Sequence, residues 1–178
     1  MQQEHVQEFQ RVFSNAHGLK GVQIHAAHFH VFHASLAQLT LLPRGLLAEF
    51  TVVNRSERPL PVSPGWHPYF PCPDALKQRI VTDVPGLDPA RFDPALEYDF
   101  GVPPAAHGRA RFEVPGLGTL LVSHSPEMRH FQCWSLPGRD FVCLEPFTGP
   151  NNALNTPSRL EIPPGGGRTL FMRIELGG

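Results

Sequence analysis

The sequence predicts an all-β protein, an antiparallel β-sandwich, and three observations support that fold class. Glycine and proline account for 16 and 20 of the 178 residues, yet the apolar runs between them are intact, which is typical of short strands joined by tight turns. The 13 phenylalanines suit the core of a sheet. Segments with strand character follow one another at the regular spacing of sandwiches and barrels. The length favours one domain over residues 1–178.

The first quarter of the chain gives the weakest signals. Residues 1–13 are predicted to form an amphipathic helix, because three apolar residues recur at helical spacing among polar ones. Residues 22–42 are apolar and rich in histidine, and they show no clean period that would assign a helix or a strand. From residue 46 the pattern becomes clear, since the alternation over residues 46–53 is that of a half-buried strand.

The middle of the chain is interrupted by prolines. Pro59, Pro61 and Pro64 keep their stretch extended and make it a poor candidate for the middle of a sheet. Residues 78–84 are predicted to form a short strand. Residues 85–108 are rich in proline, aspartate and glycine, and they are predicted to form a long excursion outside the sheets.

Three hairpins are predicted in the last part of the chain, each with a turn rich in glycine or proline. Their strands are residues 110–114 and 118–123, residues 129–136 and 140–145, and residues 158–162 and 169–176. Folded symmetrically about Gly138, the second hairpin pairs Cys133 with Cys143. The period of two then places Cys143 and Glu145 on one face, so Glu145 ends a strand where a rigid carboxylate can border a pocket.

Charge, hydropathy and cysteine content exclude several classes of protein. The formal charge of -1 is too balanced to indicate nucleic acid or an anionic membrane surface as a partner. The first residues lack the apolar stretch of a signal peptide, and no apolar run is long enough to cross a bilayer. The three cysteines are an odd count without close spacing, which argues against a disulfide framework and predicts a cytoplasmic location.

Two short segments combine one ionisable residue with an apolar, proline-stiffened setting. The first is GWHPYF, residues 65–70, and the second is CLEPFTGPNN, residues 143–152. Burial among apolar side chains penalises charge and shifts a pKa, so His67 and Glu145 are candidates for an acid and a base. Plainer interpretations stay open, because a histidine before proline is more often a packed or capping residue and a glutamate at a strand end is more often a surface charge.

Three stretches in the same order resemble the aldose 1-epimerase (mutarotase) family. Residues 51–70, TVVNRSERPLPVSPGWHPYF, are similar to the stretch in which an asparagine at a strand end leads into Gly-x-His-Pro-Tyr-Phe. Residues 141–155, FVCLEPFTGPNNALN, are similar to the strand of the catalytic glutamate, and Pro164–Gly167 precedes a last apolar strand as in the family. The resemblance extends over roughly residues 45–178 and is to the branch that includes hexose-6-phosphate 1-epimerases.

The resemblance implies a galactose-mutarotase-like β-supersandwich and an isomerase that interconverts the α and β anomers of an aldose or a hexose phosphate. By matching the motifs, Glu145 is implied as the base that takes the proton of the C1 hydroxyl, and His67 as the acid that protonates the ring oxygen. Neither a metal ion nor an organic cofactor is implied.

The resemblance also implies groups that hold the sugar. Trp66, Tyr69 and Phe147 are candidates to offer apolar ring faces, although each is equally interpretable as a core aromatic residue. The family also uses a carboxylate, between the two motifs, that binds sugar hydroxyls. The candidates, each as readily interpreted as a turn residue, are Asp93, Asp99 and Asp83.

Residues 1–42 show no match to the N-terminal part of the family, which normally supplies a second histidine and one or more arginines to the sugar site. We therefore expect a truncated sandwich with an exposed sheet edge, which favours self-association. An alternative function is that of a non-catalytic carbohydrate-binding or remnant protein that keeps half of the sugar site. A weaker alternative is a zinc site in a histidine cluster formed by His25, His28, His30 and His33.

Overall fold

The computed structural model describes residues 23–26, 33–104 and 108–177. Regular structure in these ranges is almost entirely antiparallel β-strand, as the sequence predicts. The predicted helix over residues 1–13 lies outside the described residues. His28 and His30 also lie outside them, so the zinc alternative for the histidine cluster stays a prediction.

The described residues form β-strands and short 3-10 helices. The strands, in chain order, are β1 (Gln23–Ala26), β2 (His33–Leu42), β3 (Gly45–Asn54), β4 (Leu60–Val62), β5 (Trp66–Pro71), β6 (Val81–Thr82), β7 (Tyr98–Val102), β8 (Arg109–Val114), β9 (Gly118–His124), β10 (His130–Ser135), β11 (Phe141–Phe147), β12 (Leu160–Ile162) and β13 (Gly167–Leu176). The 3-10 helices are Asp74–Arg79, Pro89–Arg91 and Ala153–Asn155.

Six strands form one sheet in the order β2-β3-β13-β9-β8-β6, with antiparallel neighbours throughout. The strand predicted over residues 46–53 is confirmed as β3, and its alternate residues Leu46, Ala48 and Val52 are buried. The long strand β13 lies between β3 and β9 and pairs with both. This sheet supplies one apolar wall of the core.

Five strands form a second sheet in the order β1-β5-β11-β10-β7, also antiparallel. Its inner face carries the buried side chains of Phe70, Phe131 and Leu144, which join one core cluster with residues of the six-stranded sheet. The rings of Phe112 and Phe131 stack across the two sheets with centroids 5.5 Å apart. The predicted antiparallel sandwich is therefore confirmed.

Two of the three predicted hairpins form, and the third does not. The strands predicted at 110–114 and 118–123 are β8 and β9, and Gly116 in their turn has φ of 83°, which glycine adopts without strain. The pairing predicted between residues 158–162 and 169–176 is wrong. The short β12 instead pairs with the proline-rich β4 in a separate two-stranded sheet, whereas β13 gains a partner on each side in the main sheet.

The hairpin of β10 and β11 has a register one residue away from the predicted one. Cys133 pairs with Leu144, and Trp134 pairs with Cys143. The turn is therefore centred between Gly138 and Arg139 rather than on Gly138. A shift of one residue moves the side chains of a strand to the opposite face, so Trp134 shares a face with Cys143.

Two segments of the middle region differ from their predictions. Residues 78–84 begin in a 3-10 helix that follows Pro73, and only Val81–Thr82 pair as a strand. The predicted excursion over residues 85–108 contains β7, which completes the five-stranded sheet. Its alternation, buried at Tyr98 and Val102 and more exposed between them, is that of a strand on the core.

Strand β2 lies at one edge of the six-stranded sheet and carries exposed apolar side chains. Leu36 is 63% exposed and Leu41 is 51% exposed. Exposed edge strands favour association between chains. Self-association therefore stays a prediction for this protein. In the part of the chain that the structure describes, no helix is long and apolar enough to cross a bilayer.

The sandwich core can be tested with two leucines of the same sheet. Leu120 is fully buried on β9, whereas Leu36 is exposed on β2. We expect Leu120→Ala to lower the free energy of unfolding by about 2–5 kcal/mol, because it removes apolar contacts and leaves a cavity. Leu36→Ala should change it by less than about 0.5 kcal/mol. Urea denaturation followed by circular dichroism checks both values, and equal losses would contradict the fold.

Candidate functional site

The candidate site lies on the outer face of the five-stranded sheet, away from the core. Along β5, Trp66 and Phe70 point inward and are buried, whereas His67 and Tyr69 point outward and are partly exposed. Along β11, successive side chains also alternate between the two faces, so Glu145 points outward because its neighbour Leu144 points into the core. The alternation of two strands thus brings the two predicted catalytic residues to one face.

The register between β5 and β11 places His67 directly opposite Glu145. Tyr69 pairs with Cys143 on one side of this position, and Gly65 forms a bridge with Phe147 on the other side. The ladder is interrupted between them, where a proline follows each of the two residues and supplies no N–H donor. His67 Nε2 and Glu145 Oε1 are 3.3 Å apart.

Glu145 is held in an unusual state for a carboxylate. Its side chain is 3% exposed, whereas that of His67 is 34% exposed. Burial, and secondly the negative charge of Asp99, raise the pKa of Glu145 to about 8. Within the described residues its Oε1 atom accepts no hydrogen bond. A carboxyl group whose pKa is raised into this range can take up and release a proton near neutral pH.

An aromatic wall borders the pair. The ring of Tyr69 stacks on His67 with centroids 5.0 Å apart, and Trp134 meets His67 edge-on at 5.5 Å. Phe141 contacts both Tyr69 and Trp134. Trp134 Nε1 donates a hydrogen bond of 2.6 Å to Glu97, which fixes the orientation of the indole. These rings give the site an apolar surface of the kind that sugar rings contact.

A chain of polar side chains borders the other side of Glu145. Gln132, the register partner of Glu145 on β10, donates a short hydrogen bond to Asp99 through its amide nitrogen. Its amide oxygen therefore faces His130, whose Nε2 lies 2.8 Å away and must carry the proton, since the oxygen only accepts. A Cβ atom at Gly101 would lie 2.3 Å from the His130 ring, so glycine leaves room for this chain.

The structure brings together some predicted sugar-site residues and not others. Tyr69 and Asp99 lie beside the pair, and Phe147 is on the same face, with its ring packed over Gly65. Trp66 does not reach the site, because its side chain is 2% exposed in the core on the opposite face.

Two of the predicted aspartates lie away from the pair. Asp93 accepts a hydrogen bond from the backbone of Ala95 and lines a small cavity with Lys77 and Tyr98, whose side chain points to the inner face. Asp83 accepts from the backbone N–H of Arg111 in the six-stranded sheet. Asp93 thus stabilises a turn, which is a common role of aspartate, whereas Asp83 connects the end of β6 to β8.

Sequence reasoning missed the contribution of β10 to the site. His130, Gln132 and Trp134 are two residues apart and share the outer face. Their period-two spacing was a usable signal, but the predicted register placed them on the wrong side of the sheet.

Three side chains of the site have the chemistry of metal ligands. Donor atoms of His67, Cys143 and Glu145 lie within 4.8 Å of one another. Burial raises the pKa of the Cys143 thiol, with a smaller contribution from Glu145, so this thiol is protonated near neutral pH when no ion is bound.

Comparison with solved structures identifies the fold. The Slr1438 protein from Synechocystis sp. PCC 6803 matches with a TM-score of 0.70 and 24% identity, over 86% of this chain and 60% of that protein. A provisionally named aldose 1-epimerase from Escherichia coli K12 matches with a TM-score of 0.65 and 21% identity, over 86% and 64%. A galactose mutarotase-like protein from Clostridium acetobutylicum matches with a TM-score of 0.60 and 15% identity, over 88% and 62%.

These matches confirm the predicted galactose-mutarotase-like sandwich fold. The chain spans about 60–64% of the length of the three solved proteins. No protein-family model and no curated protein matches the sequence.

The raised pKa of Glu145 predicts a pH-dependent cost to stability. The folded protein holds this proton more tightly than the unfolded chain, so stability is lost as the pH rises from about 4.5 to about 8. Glu145→Gln removes the titration. We expect its advantage over wild type to grow across this range by at most about 1 kcal/mol per pH unit.

Urea denaturation of wild type and variant at several pH values measures this difference. Glu57→Gln, which removes an exposed loop carboxylate, is the matched control and should leave the pH dependence as in wild type. A constant difference between Glu145→Gln and wild type would show that the Glu145 carboxylate is not destabilised by burial.

Proposed function

We propose that this chain is an aldose 1-epimerase-like isomerase that interconverts the α and β anomers of an aldose or a hexose phosphate. Glu145 is the general base and His67 is the general acid. The observation that carries the proposal is the 3.3 Å contact between His67 Nε2 and Glu145 Oε1 on the outer face of the sheet. The motif order and the fold shared with mutarotase-like proteins support it.

The reaction needs two proton transfers at neighbouring oxygen atoms. The base takes the proton of the C1 hydroxyl, the acid donates a proton to the ring oxygen, and the C1–O5 bond breaks to give the open-chain aldehyde. Rotation about C1–C2 and the reverse transfers close the ring as the other anomer. Both oxygens are bonded to C1, so the acid and the base must lie side by side, as His67 and Glu145 do.

The surroundings of Glu145 favour its role as a base. A buried carboxylate with a pKa of about 8 has a higher affinity for a proton than an exposed one. Accepting the hydroxyl proton neutralises a charge that burial and Asp99 make costly. General acid–base help of this kind accelerates a reaction by about 10²–10⁴-fold.

The rest of the face offers complementary contacts to a sugar. The rings of Tyr69 and Trp134 supply apolar surface beside the pair, and Phe147 is a further candidate. Asp99 and Gln132 supply a carboxylate and an amide that can bind hydroxyl groups. The chemistry described needs no metal ion or organic cofactor.

Anomerisation assays test the proposal directly. We expect the protein to speed the approach of α-glucose, α-galactose or glucose 6-phosphate to anomeric equilibrium, followed by polarimetry or NMR. Glu145→Gln should reduce the rate by about 10²-fold or more, because the base is lost, and His67→Asn should do the same. Glu57→Gln should retain the full rate. Sugar binding without any rate effect would instead indicate the non-catalytic carbohydrate-binding alternative.

The charge of Asp99 can be tested separately through the pH profile. Asp99→Asn keeps an oxygen that accepts from Gln132 but removes the negative charge that raises the pKa of Glu145. The base then loses its proton at lower pH, so the rising limb of kcat/KM should move to lower pH. Asp93→Asn, which alters a carboxylate away from the pair, should leave that limb unchanged. If the rising limb of kcat/KM stayed at the same pH in Asp99→Asn, the charge of Asp99 would not act on Glu145.

A further inference from the structure

Three donor groups of different chemistry converge on the outer face of the five-stranded sheet. Cys143 and Glu145 are two residues apart on β11 and share a face, and His67 meets them from β5. Their donor atoms all lie within 4.8 Å of one another. We propose that His67, Cys143 and Glu145 form a zinc site, in which one ion binds between their three donor atoms.

The distances suit a tetrahedral ion. Two ligand atoms bound at about 2.0–2.1 Å with a tetrahedral angle between them are about 3.3 Å apart, and His67 Nε2 and Glu145 Oε1 are separated by 3.3 Å. A thiolate at about 2.3 Å from zinc would lie about 3.6 Å from each of the other two ligands. In the structure the three donor atoms lie within 4.8 Å of one another. The Cys143 sulfur must therefore move by at most about an ångström to bind the ion, which small changes in side-chain torsions allow.

The buried Oε1 atom of Glu145 independently indicates a ligand at this site. The Glu145 side chain is 3% exposed, and among the described residues its Oε1 atom accepts no hydrogen bond. Buried carboxylates are stable when they are paired or bound to a metal ion. Asp99, which accepts a hydrogen bond from the Gln132 side chain opposite Glu145, adds a second negative charge on this face, and a divalent cation would offset the repulsion between the two carboxylates.

The donor set selects the kind of metal. One imidazole, one thiolate and one carboxylate match zinc and similar borderline ions, whereas magnesium and calcium prefer oxygen ligands alone. Three protein ligands leave a fourth position for water, which is the arrangement of accessible zinc sites. The partial exposure of His67 places that position on the solvent side. The rings of Tyr69 and Trp134 form the apolar shell around it.

Binding would release protons and remove the acid and the base together. The thiol proton leaves to solvent, as does any proton on the binding atoms of His67 and Glu145, and the three donor atoms bind the ion. Neither His67 nor Glu145 can then exchange a proton with a sugar. The zinc site would thus inhibit the isomerase, a consequence that rests on the proposed function, whereas the binding itself does not.

Metal titration of the full chain tests the binding without any sugar. After dialysis against a chelator, calorimetry should detect one Zn²⁺ bound per chain at this site. Co²⁺ should produce the near-ultraviolet charge-transfer absorption of a cobalt–thiolate bond. Cys143→Ser should abolish that absorption and weaken Zn²⁺ binding by about tenfold or more, since loss of an outer-shell partner alone costs about 10–100-fold.

Cys133→Ser is the matched control. Cys133 is also a buried, free thiol of the five-stranded sheet, but it lies on the core face, so this variant should keep both the absorption and the affinity. Cys143→Ala provides a second variant if the serine disturbs folding, which thermal melts in chelator would reveal. Absence of the absorption in wild type, or its persistence after replacement of Cys143, would overturn the zinc site. A Zn²⁺ affinity and a number of ions bound per chain that are both unchanged in Cys143→Ser would do the same.

Activity measurements separate this proposal from the proposed function. In chelator, wild type should anomerise sugars at its full rate, and Zn²⁺ should inhibit wild type and Cys133→Ser but not Cys143→Ser at the same concentration. Zinc binding to a protein without anomerase activity would overturn the isomerase and leave the metal site standing. Anomerase activity unaffected by bound Zn²⁺ would overturn the inhibition.

Discussion

The cross-strand register between β5 and β11 is the constraint on which the whole outer face depends. It is held on both sides of the pair, by Tyr69 opposite Cys143 and by Gly65 opposite Phe147. A slip of one residue would turn either His67 or Glu145 into the core and replace it with an apolar neighbour. Because the inner faces of both strands are packed against the six-stranded sheet, such a slip would also bury a charge among phenylalanines. The core therefore fixes the geometry of the site on the other face.

One glycine and two prolines change the packing and the hydrogen bonding of β5 and β11 next to His67 and Glu145. A Cβ atom at Gly65 would lie 1.9 Å from the Phe147 ring, so only glycine lets that ring lie across the strand and close one end of the face. The prolines that follow His67 and Glu145 remove two N–H donors from the ladder between the strands. The residues that interrupt the sheet thus lie where the reactive side chains project. Flanking pairs keep the strands aligned at this point.

Much of the architecture could be predicted from sequence because it depends on local pattern. The alternation in β3 and the turn glycine between β8 and β9 specify those elements without reference to distant residues. The register of β10 could not be predicted in the same way, because both of its faces carry apolar or aromatic side chains, Phe131 inward and Trp134 outward. The outer face mixes Trp134 with the polar residues His130 and Gln132, so polarity alone does not reject a shift of the register, and the turn at Gly138 decides it. The partner of β13 depends on contacts distant in sequence, which no hairpin rule supplies.

His67 and Glu145 could be singled out from the sequence, whereas the electrostatics around them could not. His67 and Glu145 stand in short motifs, but the chain of Asp99, Gln132 and His130 forms only when β7 and β10 join the sheet. That chain places a second carboxylate near Glu145, and its repulsion adds to the larger effect of burial in raising the pKa of Glu145. The same repulsion increases the attraction of Glu145 for any cation that reaches it. A buried negative charge that favours the uptake of a proton also favours a cation, and the neighbouring Cys143 supplies a sulfur atom of the kind that binds zinc. Under the two proposals, proton transfer and zinc binding compete for one buried negative charge, and the free zinc concentration sets which of them uses it.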